Sequence, residues 1–347
     1  MELEKRLRQR LHTLPERPFW SRPAEKPDFT TNDYLGLIHD GIIHRILSEA
    51  PREWLRGSGA SRYLGGDAFP FHEVERLAEV LWGRPHEKAL FFPSGLIANL
   101  TFWATVPQRG DTILFDREVH ASIRYGIRLS GATAWGFPHN DWDAAEVRLR
   151  RAKGVTFLVI ESLYSMRGTS PDVEALLSLQ SRYDFHLIVD EAHTTFILSQ
   201  GRSWSETVGL NPLARLLTFG KAVGLVGAVW IGPDWLVAYL QRKGFGGIYT
   251  TALPPFLGWA IKEILTHPLE WEPRRVKLWH LIHQVRETLE KAQRPYQGLV
   301  GPIALLPVGQ QPLPLKKLHP PTVPSPAYRM SLHAYNTLRE VCELLGL

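Results

Sequence analysis

The sequence contains almost no cysteine, since Cys342 is the only one in 347 residues. An intrachain disulfide is therefore impossible, which favours a reducing compartment and predicts a cytoplasmic location. The sequence also lacks an uninterrupted apolar run long enough to span a bilayer. Residues 1–6 carry both charge signs and precede no apolar stretch of the kind found in secretory signals. We therefore expect no membrane association.

A large excess of one charge sign is also absent, because 40 Lys and Arg face 35 Asp and Glu and leave a net charge of +5. The ordinary interpretation is a solvated, slightly basic surface. The alternative is attraction for an acidic partner, such as a CoA thioester or an acyl carrier protein. Lys and Arg are scattered and do not cluster with aromatic residues, so we expect no nucleic-acid partner.

Nucleotide-binding and metal-binding motifs are missing as well. Asp190-Glu191-Ala192-His193 spells the acidic box of a helicase, but no G-x-x-x-x-G-K-[ST] loop precedes it. The segment 57–62 lacks the third glycine and the leading strand of a dinucleotide fingerprint. His72 begins a segment without the second histidine of a zinc-binding helix. We therefore exclude a helicase and expect no metal site.

Apolar segments of strand length alternate with helical segments through the first two thirds of the chain. Near-continuous apolar strands separated by helices indicate an α/β fold, with a mainly parallel sheet between layers of helices. The predicted strands are residues 88–92, 112–115, 155–160, 186–190, 216–218 and 226–231. The predicted helices in and before this region are residues 1–20, 72–82, 96–106, 144–151 and 173–182.

The pattern changes after about residue 233. A long helical stretch runs from Pro255 to about residue 292, and residues 293–326 are rich in Pro and Gly. Within them, residues 307–326 are expected to form an ordered connection or a mobile loop. Thr337-Leu338-Arg339-Glu340 is a capping box that predicts a final helix, in which Cys342 would be a small buried residue. We predict three parts, namely an N-terminal segment, a large domain, and an interface segment with a small C-terminal α+β domain. Their ranges are residues 1–50, 51–235 and 236–347.

Two of the predicted strands lead directly into reactive side chains. One apolar run ends at Asp190, and the next ends in Thr218-Phe219-Gly220-Lys221. Since ligands gather at the carboxyl ends of parallel strands, these residues should meet. A lysine amine and a carboxylate are what pyridoxal phosphate (PLP) requires, one for its aldehyde and one for its pyridine nitrogen. The alternatives are a surface lysine, which its apolar neighbours disfavour, and a structural strand-end carboxylate.

Further motifs accompany these two strands through most of the chain. They are Asn32-Asp33-Tyr34-Leu35-Gly36-Leu37, Gly57-Ser58-Gly59-Ala60-Ser61-Arg62, Ser94-Gly95-Leu96-Ile97-Ala98-Asn99, His120-Ala121-Ser122, Glu161-Ser162-Leu163-Tyr164-Ser165-Met166, Val189-Asp190-Glu191-Ala192-His193, Thr218-Phe219-Gly220-Lys221, Tyr249-Thr250-Thr251-Ala252-Leu253-Pro254-Pro255 and Arg329-Met330-Ser331-Leu332. In this order they resemble the motifs of the α-oxoamine synthases, PLP enzymes of fold type I, the aspartate aminotransferase-like class.

The resemblance implies roles around the cofactor ring. Lys221 is expected to form a Schiff base with the cofactor and later to remove the α-proton. Asp190 is expected to keep the ring nitrogen protonated, His193 to bond the phenolic oxygen, and His120 to stack on the ring face. From position alone, His193 could be a structural histidine and His120 a loop histidine. Ser165 resembles a serine near the phenolic oxygen, although an ordinary loop hydroxyl fits its position as well.

The resemblance also implies a phosphate site and a carboxylate site. Ser94, Gly95, Leu96 and Thr218 are expected to bind the phosphate through backbone N–H groups and hydroxyls, which the predicted order of strand, turn and helix also favours. Thr250 and Thr251 match a segment that reaches the phosphate from the partner subunit, which implies a homodimer with shared active sites. Arg329 resembles the arginine that clamps the substrate carboxylate, with a surface ion pair as the alternative. Asn32 is expected near the substrate.

The implied reaction is the condensation of a small amino acid with an acyl thioester. The segment from Arg329 to Thr337 resembles a compact bacterial member that joins L-alanine to pimeloyl-CoA or pimeloyl-acyl carrier protein, with decarboxylation, in biotin biosynthesis. Glycine C-acetyltransferase, 5-aminolevulinate synthase and serine palmitoyltransferase activities are alternatives. A non-catalytic partner protein is a further alternative, which the presence of Lys221 disfavours.

The chain departs from the family at two places. His193-Thr194-Thr195-Phe196 stands where the family usually has His-Gly-Thr-Gly, so backbone freedom is lost and bulk is added. Arg167 stands where an aspartate is common. We expect these departures to alter acyl-chain choice or to mark a divergent activity.

Overall fold

A computed structural model describes residues 2–13, 27–308, 313, 315–318 and 325–347. Within them the helices are α1 (Glu2–Thr13), α2 (Ile42–Ser48), α3 (Phe69–Trp82), α4 (Gly95–Thr105), α5 (Ala121–Ser130), α6 (Trp142–Leu149), α7 (Val173–Arg182), α8 (Trp204–Thr207), α9 (Asp234–Lys243), α10 (Phe245–Ile248), α11 (Pro255–Thr266), α12 (Glu272–Lys291) and α13 (Leu338–Leu345). The strands are β1 (Glu87–Phe92), β2 (Thr112–Asp116), β3 (Thr133–Phe137), β4 (Thr156–Glu161), β5 (His186–Asp190), β6 (Ala214–Thr218), β7 (Ala228–Pro233), β8 (Gln297–Gly298), β9 (Ile303–Pro307), β10 (Lys316–Leu318) and β11 (Ala327–Ser331).

A seven-stranded sheet forms the centre of the molecule, in the order β1-β7-β6-β5-β4-β2-β3. Strands β2 to β6 are parallel to their neighbours within this group, whereas β7 is antiparallel to both β6 and β1. Every residue of β4 and β6 is buried, as expected for strands covered on both faces. The predicted α/β class with a mainly parallel sheet is confirmed.

Successive residues of the sheet enter different parts of the core. Ile113 of β2 packs with α4, α5 and α9, whereas the next residue, Leu114, packs with α6 and α7. This alternation places helices on both faces of the sheet. The sequence did not predict β3, because this edge strand is largely exposed and contains Gly136, so it lacks an apolar run.

A second, antiparallel sheet has the order β10-β11-β9-β8 and lies in the segment assigned to the small domain. The predicted connection over residues 307–326 is therefore wrong at β10, and the sequence did not predict β8 or β9. These strands are short, and the prolines and glycines around them hide the alternation that would predict a sheet. Residues 309–312, 314 and 319–324 of that segment lie outside the described residues. The domain boundaries remain predictions.

The segment that carries Phe29 and Tyr34 lies against the end of β11 and the residues that follow it. The N–H of Ser331 donates to the carbonyl of Phe29 at 2.7 Å, and the N–H of Ala334 donates to the carbonyl of Tyr34 at 2.8 Å. The final helix α13 begins at the predicted capping box, in which Thr337 and Glu340 bond each other's backbone N–H. These contacts hold the segment that carries Asn32 and Tyr34 against the main body of the protein.

One predicted helix lies partly outside the described residues, and another is divided in the structure. The opening helix is described over Glu2–Thr13, and residues 14–20 of the predicted stretch lie outside the described residues. The long stretch after Pro255 is two helices, because a turn at Pro268–Trp271 separates α11 from α12. Proline has no backbone N–H and cannot continue a helix at that point. Among the residues described, no helix has both the length and the apolar character needed to cross a bilayer.

Candidate active site

A cavity of about 210 Å³ opens at the carboxyl ends of the parallel strands. This is the edge at which α/β sheets bind their ligands. The structure brings most of the sequence-predicted site residues together around it. Those that line the cavity are Asn32, Ser94, Gly95, Leu96, His120, Asp190, His193, Thr218 and Lys221.

One wall of the cavity is the turn between β1 and α4. The Ser94 side chain caps α4 by accepting the N–H of Ile97 at 3.3 Å. A Cβ atom on Gly95 would lie 2.8 Å from Thr218 Cγ2, so the turn packs against the end of β6 only because this residue lacks a side chain. The first N–H groups of α4 have no partner within the helix and are available to an anion.

Asp190 ends β5 and is held in place by two donors. Its Oδ2 accepts Asn99 Nδ2 at 2.9 Å, and its Oδ1 accepts the N–H of Ala192 at 3.0 Å. Asn99 Nδ2 also donates to Ser122 Oγ at 3.0 Å, and this hydroxyl lies 2.7 Å from His120 Nδ1. The contacts form a continuous polar chain from the carboxylate to His120. Such a network restricts the orientation of every member.

Lys221 follows β6 and projects into the cavity between acidic residues. Burial lowers the pKa of its amine below the ordinary value, although Asp190 and Glu161 act in the opposite direction. A lowered pKa increases the fraction of free amine, which is the form that attacks an aldehyde or accepts a proton.

Both histidines that line the cavity have a lowered pKa, which favours the neutral imidazole. Burial lowers the pKa of His120, with Asp190 opposing and Lys221 adding to the effect. Burial also lowers the pKa of His193 well below its ordinary value, and the positive charges of Lys221 and Arg329 add to this. A neutral imidazole has one N–H donor and one acceptor, so its role depends on which nitrogen holds the proton.

Arg329 and Ser165 lie behind the cavity and do not line it. Arg329 is buried, and its Nη2 donates to Asn32 Oδ1 at 2.9 Å while its Nε donates to the Ser165 carbonyl at 2.6 Å. A third donor, Nη1, bonds Ser331 Oγ at 2.7 Å. The alternative of a surface ion pair is therefore wrong for Arg329, because its guanidinium is internal and points towards a cavity-lining residue.

Thr250 and Thr251 do not reach the cavity of their own chain. They follow the short helix α10, where Thr251 is exposed and pairs with Ser61 in an isolated antiparallel bridge. This separation is what a contribution to a partner's site requires, and that contribution remains a prediction.

Sequence reasoning gave no role to four residues that the structure places in or against the site. They are Tyr34, Asn99, Ser122 and Glu161. A signal was present for Glu161, because it ends the apolar strand β4 as Asp190 ends β5, and the two residues are partners in register. The Glu161 carboxylate accepts the backbone N–H of His120 and, at 3.3 Å, that of Ser165. Burial and the charge of Asp190 raise its pKa well above the ordinary value.

The departure at residues 194–196 adds bulk to the core, not to the cavity. None of the three residues lines the cavity. Phe196 is fully buried, with its ring against Trp82 and the Arg275 guanidinium 4.5 Å from the ring centroid. Arg167, the other departure, pairs with Glu118 at 3.0 Å and also lies outside the lining. Because neither departure lines the cavity, no direct contact supports the expected effect on acyl-chain choice.

Phe196 has a φ of 67°, a backbone conformation that favours glycine. We expect Phe196→Gly to relieve about 1–2 kcal/mol of backbone strain but to lose about 3–5 kcal/mol of buried aromatic packing. The variant should therefore unfold at lower urea concentration than the wild type. Gln200→Gly is the matched control, because Gln200 has a φ of 59° but is exposed, so it should be neutral or slightly stabilising. A Phe196→Gly protein more stable than the wild type would contradict this packing argument.

Comparison with known proteins agrees with the motifs. The aminotransferase class I and II family model matches residues 24–311. An 8-amino-7-oxononanoate synthase of Chromobacterium violaceum is 36% identical over 339 residues, which cover 92% of this chain and 87% of the relative. An enzyme of the same name from Dechloromonas aromatica is 31% identical over 344 residues, covering 92% of this chain and 88% of the relative.

Solved structures share the fold. A serine palmitoyltransferase of Sphingomonas wittichii superposes with a TM-score of 0.86 at 22% identity, over 99% of this chain and 95% of that chain. An 8-amino-7-oxononanoate synthase of Francisella tularensis superposes with a TM-score of 0.79 at 26% identity, over 93% of this chain and 97% of that chain. The chain therefore belongs to the aminotransferase class I and II family and, within it, to the PLP-dependent α-oxoamine synthases of fold type I.

Proposed function

We propose that this protein is an 8-amino-7-oxononanoate synthase, a homodimer that condenses L-alanine with a pimeloyl thioester, with loss of carbon dioxide, for biotin biosynthesis. The observation that carries the proposal is the meeting of Lys221, Asp190, His193 and His120 around one cavity. The choice of substrates is supported by the relatives named 8-amino-7-oxononanoate synthase, which are 31–36% identical over most of the chain.

The cavity residues fit PLP group by group. The free N–H groups at the start of α4 and the Thr218 hydroxyl suit its phosphate, Asp190 suits a protonated ring nitrogen, and the Lys221 amine suits its aldehyde. When bound, PLP supplies an electron sink for the negative charge that develops at the amino acid α-carbon. The lowered pKa of Lys221 increases the fraction of free amine that can accept the α-proton.

Arg329 and Asn32 are the proposed site for the amino acid carboxylate. A guanidinium binds a carboxylate with two parallel N–H donors. Arg329 Nη2 now bonds Asn32 Oδ1, which is a cavity-lining residue, so a carboxylate entering there would share or replace this contact. Ser165 would act through its backbone, since its carbonyl orients Arg329 and its N–H bonds Glu161.

We infer that a second copy of the chain completes the site. Thr250 and Thr251 lie away from the cavity, next to the exposed aromatic side chain of Tyr249, which is 82% exposed. Tyr63 and Leu64, near the Ser61–Thr251 bridge, are also exposed at 76% and 73%. Exposed apolar residues of this kind suit the self-complementary face of a twofold dimer. We infer a cytoplasmic location for the dimer, because a chain with a single cysteine suits a reducing compartment.

The experiment is to purify the protein with PLP and supply L-alanine, glycine or serine with pimeloyl-CoA, pimeloyl-acyl carrier protein, or an acetyl, succinyl or palmitoyl thioester. We expect 8-amino-7-oxononanoate, detected by mass spectrometry, from alanine alone, with one of the two pimeloyl carriers preferred. Product formation only from glycine or serine with acetyl, succinyl or palmitoyl thioesters would assign another member of the family. A colourless protein that takes up no PLP would contradict catalysis altogether.

A further inference from the structure

The hydroxyl of Tyr34 lies directly behind His193. Tyr34 is fully buried, and its Oη lies 2.7 Å from His193 Nδ1 and 3.1 Å from Asn32 Oδ1. The backbone of Tyr34 is anchored independently, because its carbonyl accepts the N–H of Ala334 at 2.8 Å. The phenol is therefore held in one position between two possible hydrogen-bond acceptors.

The single hydroxyl proton can serve only one of these partners. Asn32 Oδ1 already accepts Arg329 Nη2 at 2.9 Å. The distance from Tyr34 Oη to Asn32 Oδ1, 3.1 Å, is also longer than the distance from Tyr34 Oη to His193 Nδ1, 2.7 Å. Burial raises the pKa of Tyr34 to about 12, so the phenol keeps its proton at neutral pH. The distances allow two arrangements, in which Tyr34 Oη donates either to Asn32 Oδ1 or to His193 Nδ1. Donation along the shorter contact makes Nδ1 the unprotonated nitrogen of His193.

We propose that Tyr34 is a positioning residue that fixes His193 as the Nε2–H tautomer, so that the imidazole presents an N–H donor to the cavity. A neutral imidazole has one proton, and an acceptor role for Nδ1 places that proton on Nε2. The structure gives Nε2 no hydrogen-bond partner from the described part of the chain, so this donor is free for a ligand oxygen. The inference rests on the proposed function, in which His193 faces the phenolic oxygen of PLP.

The direct test is the protonation of the two His193 ring nitrogens in the full-length protein. Histidine labelled with ¹⁵N in the ring is incorporated, and the His193 signals are identified by their loss in His193→Asn. At neutral pH, with and without PLP, we expect an unprotonated Nδ1 and a protonated Nε2. A proton on Nδ1 in the wild-type protein would overturn the proposal, whatever happens in any variant.

The variant test is Tyr34→Phe, which removes only the hydroxyl. We expect the His193 signals to become those of mixed tautomers, and the dissociation constant for PLP to rise by about fivefold, the loss of one hydrogen bond. Tyr328→Phe is the matched control, since Tyr328 is also buried, at 4% exposed, but lies in the core and not beside His193. Unchanged ring signals in a folded Tyr34→Phe protein would contradict the proposal.

The two proposals can fail separately. Wild-type protein that takes up no PLP would contradict the proposed function, while its His193 signals would still decide the tautomer. Conversely, wild-type protein that binds PLP and makes product with the proton on His193 Nδ1 would contradict only the role of Tyr34.

Discussion

Replacing Lys221 with alanine is expected to lower kcat by about 10⁴-fold or more, because one residue supplies both the covalent link to the cofactor and the base for the α-proton. Lys221 lies in the cavity beside Asp190, and the structure places no second lysine in the cavity lining among the described residues. The visible absorbance that PLP acquires on covalent binding to a lysine should disappear, and borohydride should no longer attach the cofactor to the protein. Steady-state kinetics and absorption spectra measure the two effects.

Lys88→Ala is the control for this prediction. Lys88 is an exposed lysine that pairs with Glu79 at 3.0 Å, so its loss should leave both kcat and the spectrum unchanged. The thermal midpoint of Lys221→Ala should stay close to that of the wild type, which would show that the loss is chemical. A Lys221→Ala protein that retains the visible band and more than about a tenth of the activity would disprove the assignment.

Asp190→Asn is expected to lower kcat by about 10²- to 10³-fold, the effect typical of removing one preorganised electrostatic partner. The amide keeps the shape of the carboxylate but has no charge to hold a ring nitrogen protonated. Both carboxylate oxygens accept protein donors, from Asn99 and from the N–H of Ala192. The new NH₂ group would therefore face a donor and lose one hydrogen bond. The measurements are kcat, the PLP dissociation constant and the urea midpoint.

Asp116→Asn separates the catalytic effect from the structural one. Asp116 is also a buried carboxylate at the end of a parallel strand, where it accepts His139 Nδ1 at 3.0 Å and the N–H of Asn140 at 3.0 Å, but it does not line the cavity. Its replacement should reduce stability to a similar extent while leaving kcat nearly unchanged. If both variants lose kcat equally, the special role of Asp190 is refuted.

The central sheet was predictable because its strands are buried on both faces. Such strands appear in sequence as near-continuous apolar runs, and the run that ends at Asp190 forms β5 as predicted. The exposed edge strand β3 and the two-residue strand β8 have no such run. Strand β9 is apolar and mostly buried, but it is short, begins directly after Pro302 and ends at Pro307. Local pattern therefore identified the strands that carry Asp190 and Thr218, but it missed β11, which carries Arg329.

The residues of the candidate site also divide into those that a rule on sequence could place and those that it could not. Asp190, Thr218 and Lys221 could be placed together from one rule, that the ends of parallel strands share an edge of the sheet. The contact between Arg329 and Asn32 joins the two ends of the chain. No local periodicity predicts such a pair, and only the resemblance to a family suggested that both residues face the substrate.

The sequence by itself determined the reactive groups, because an amine, a carboxylate and two imidazoles are covalent properties of the residues at positions 221, 190, 193 and 120. It also determined the strands that carry them, because burial on two faces leaves a mark in the order of apolar residues. The tertiary structure alone decided that Phe196 enters the core and that Asn99 and Tyr34 hold Asp190 and His193. Burial, protonation and tautomer depend on neighbours that are distant along the chain, and folding alone brings these neighbours together.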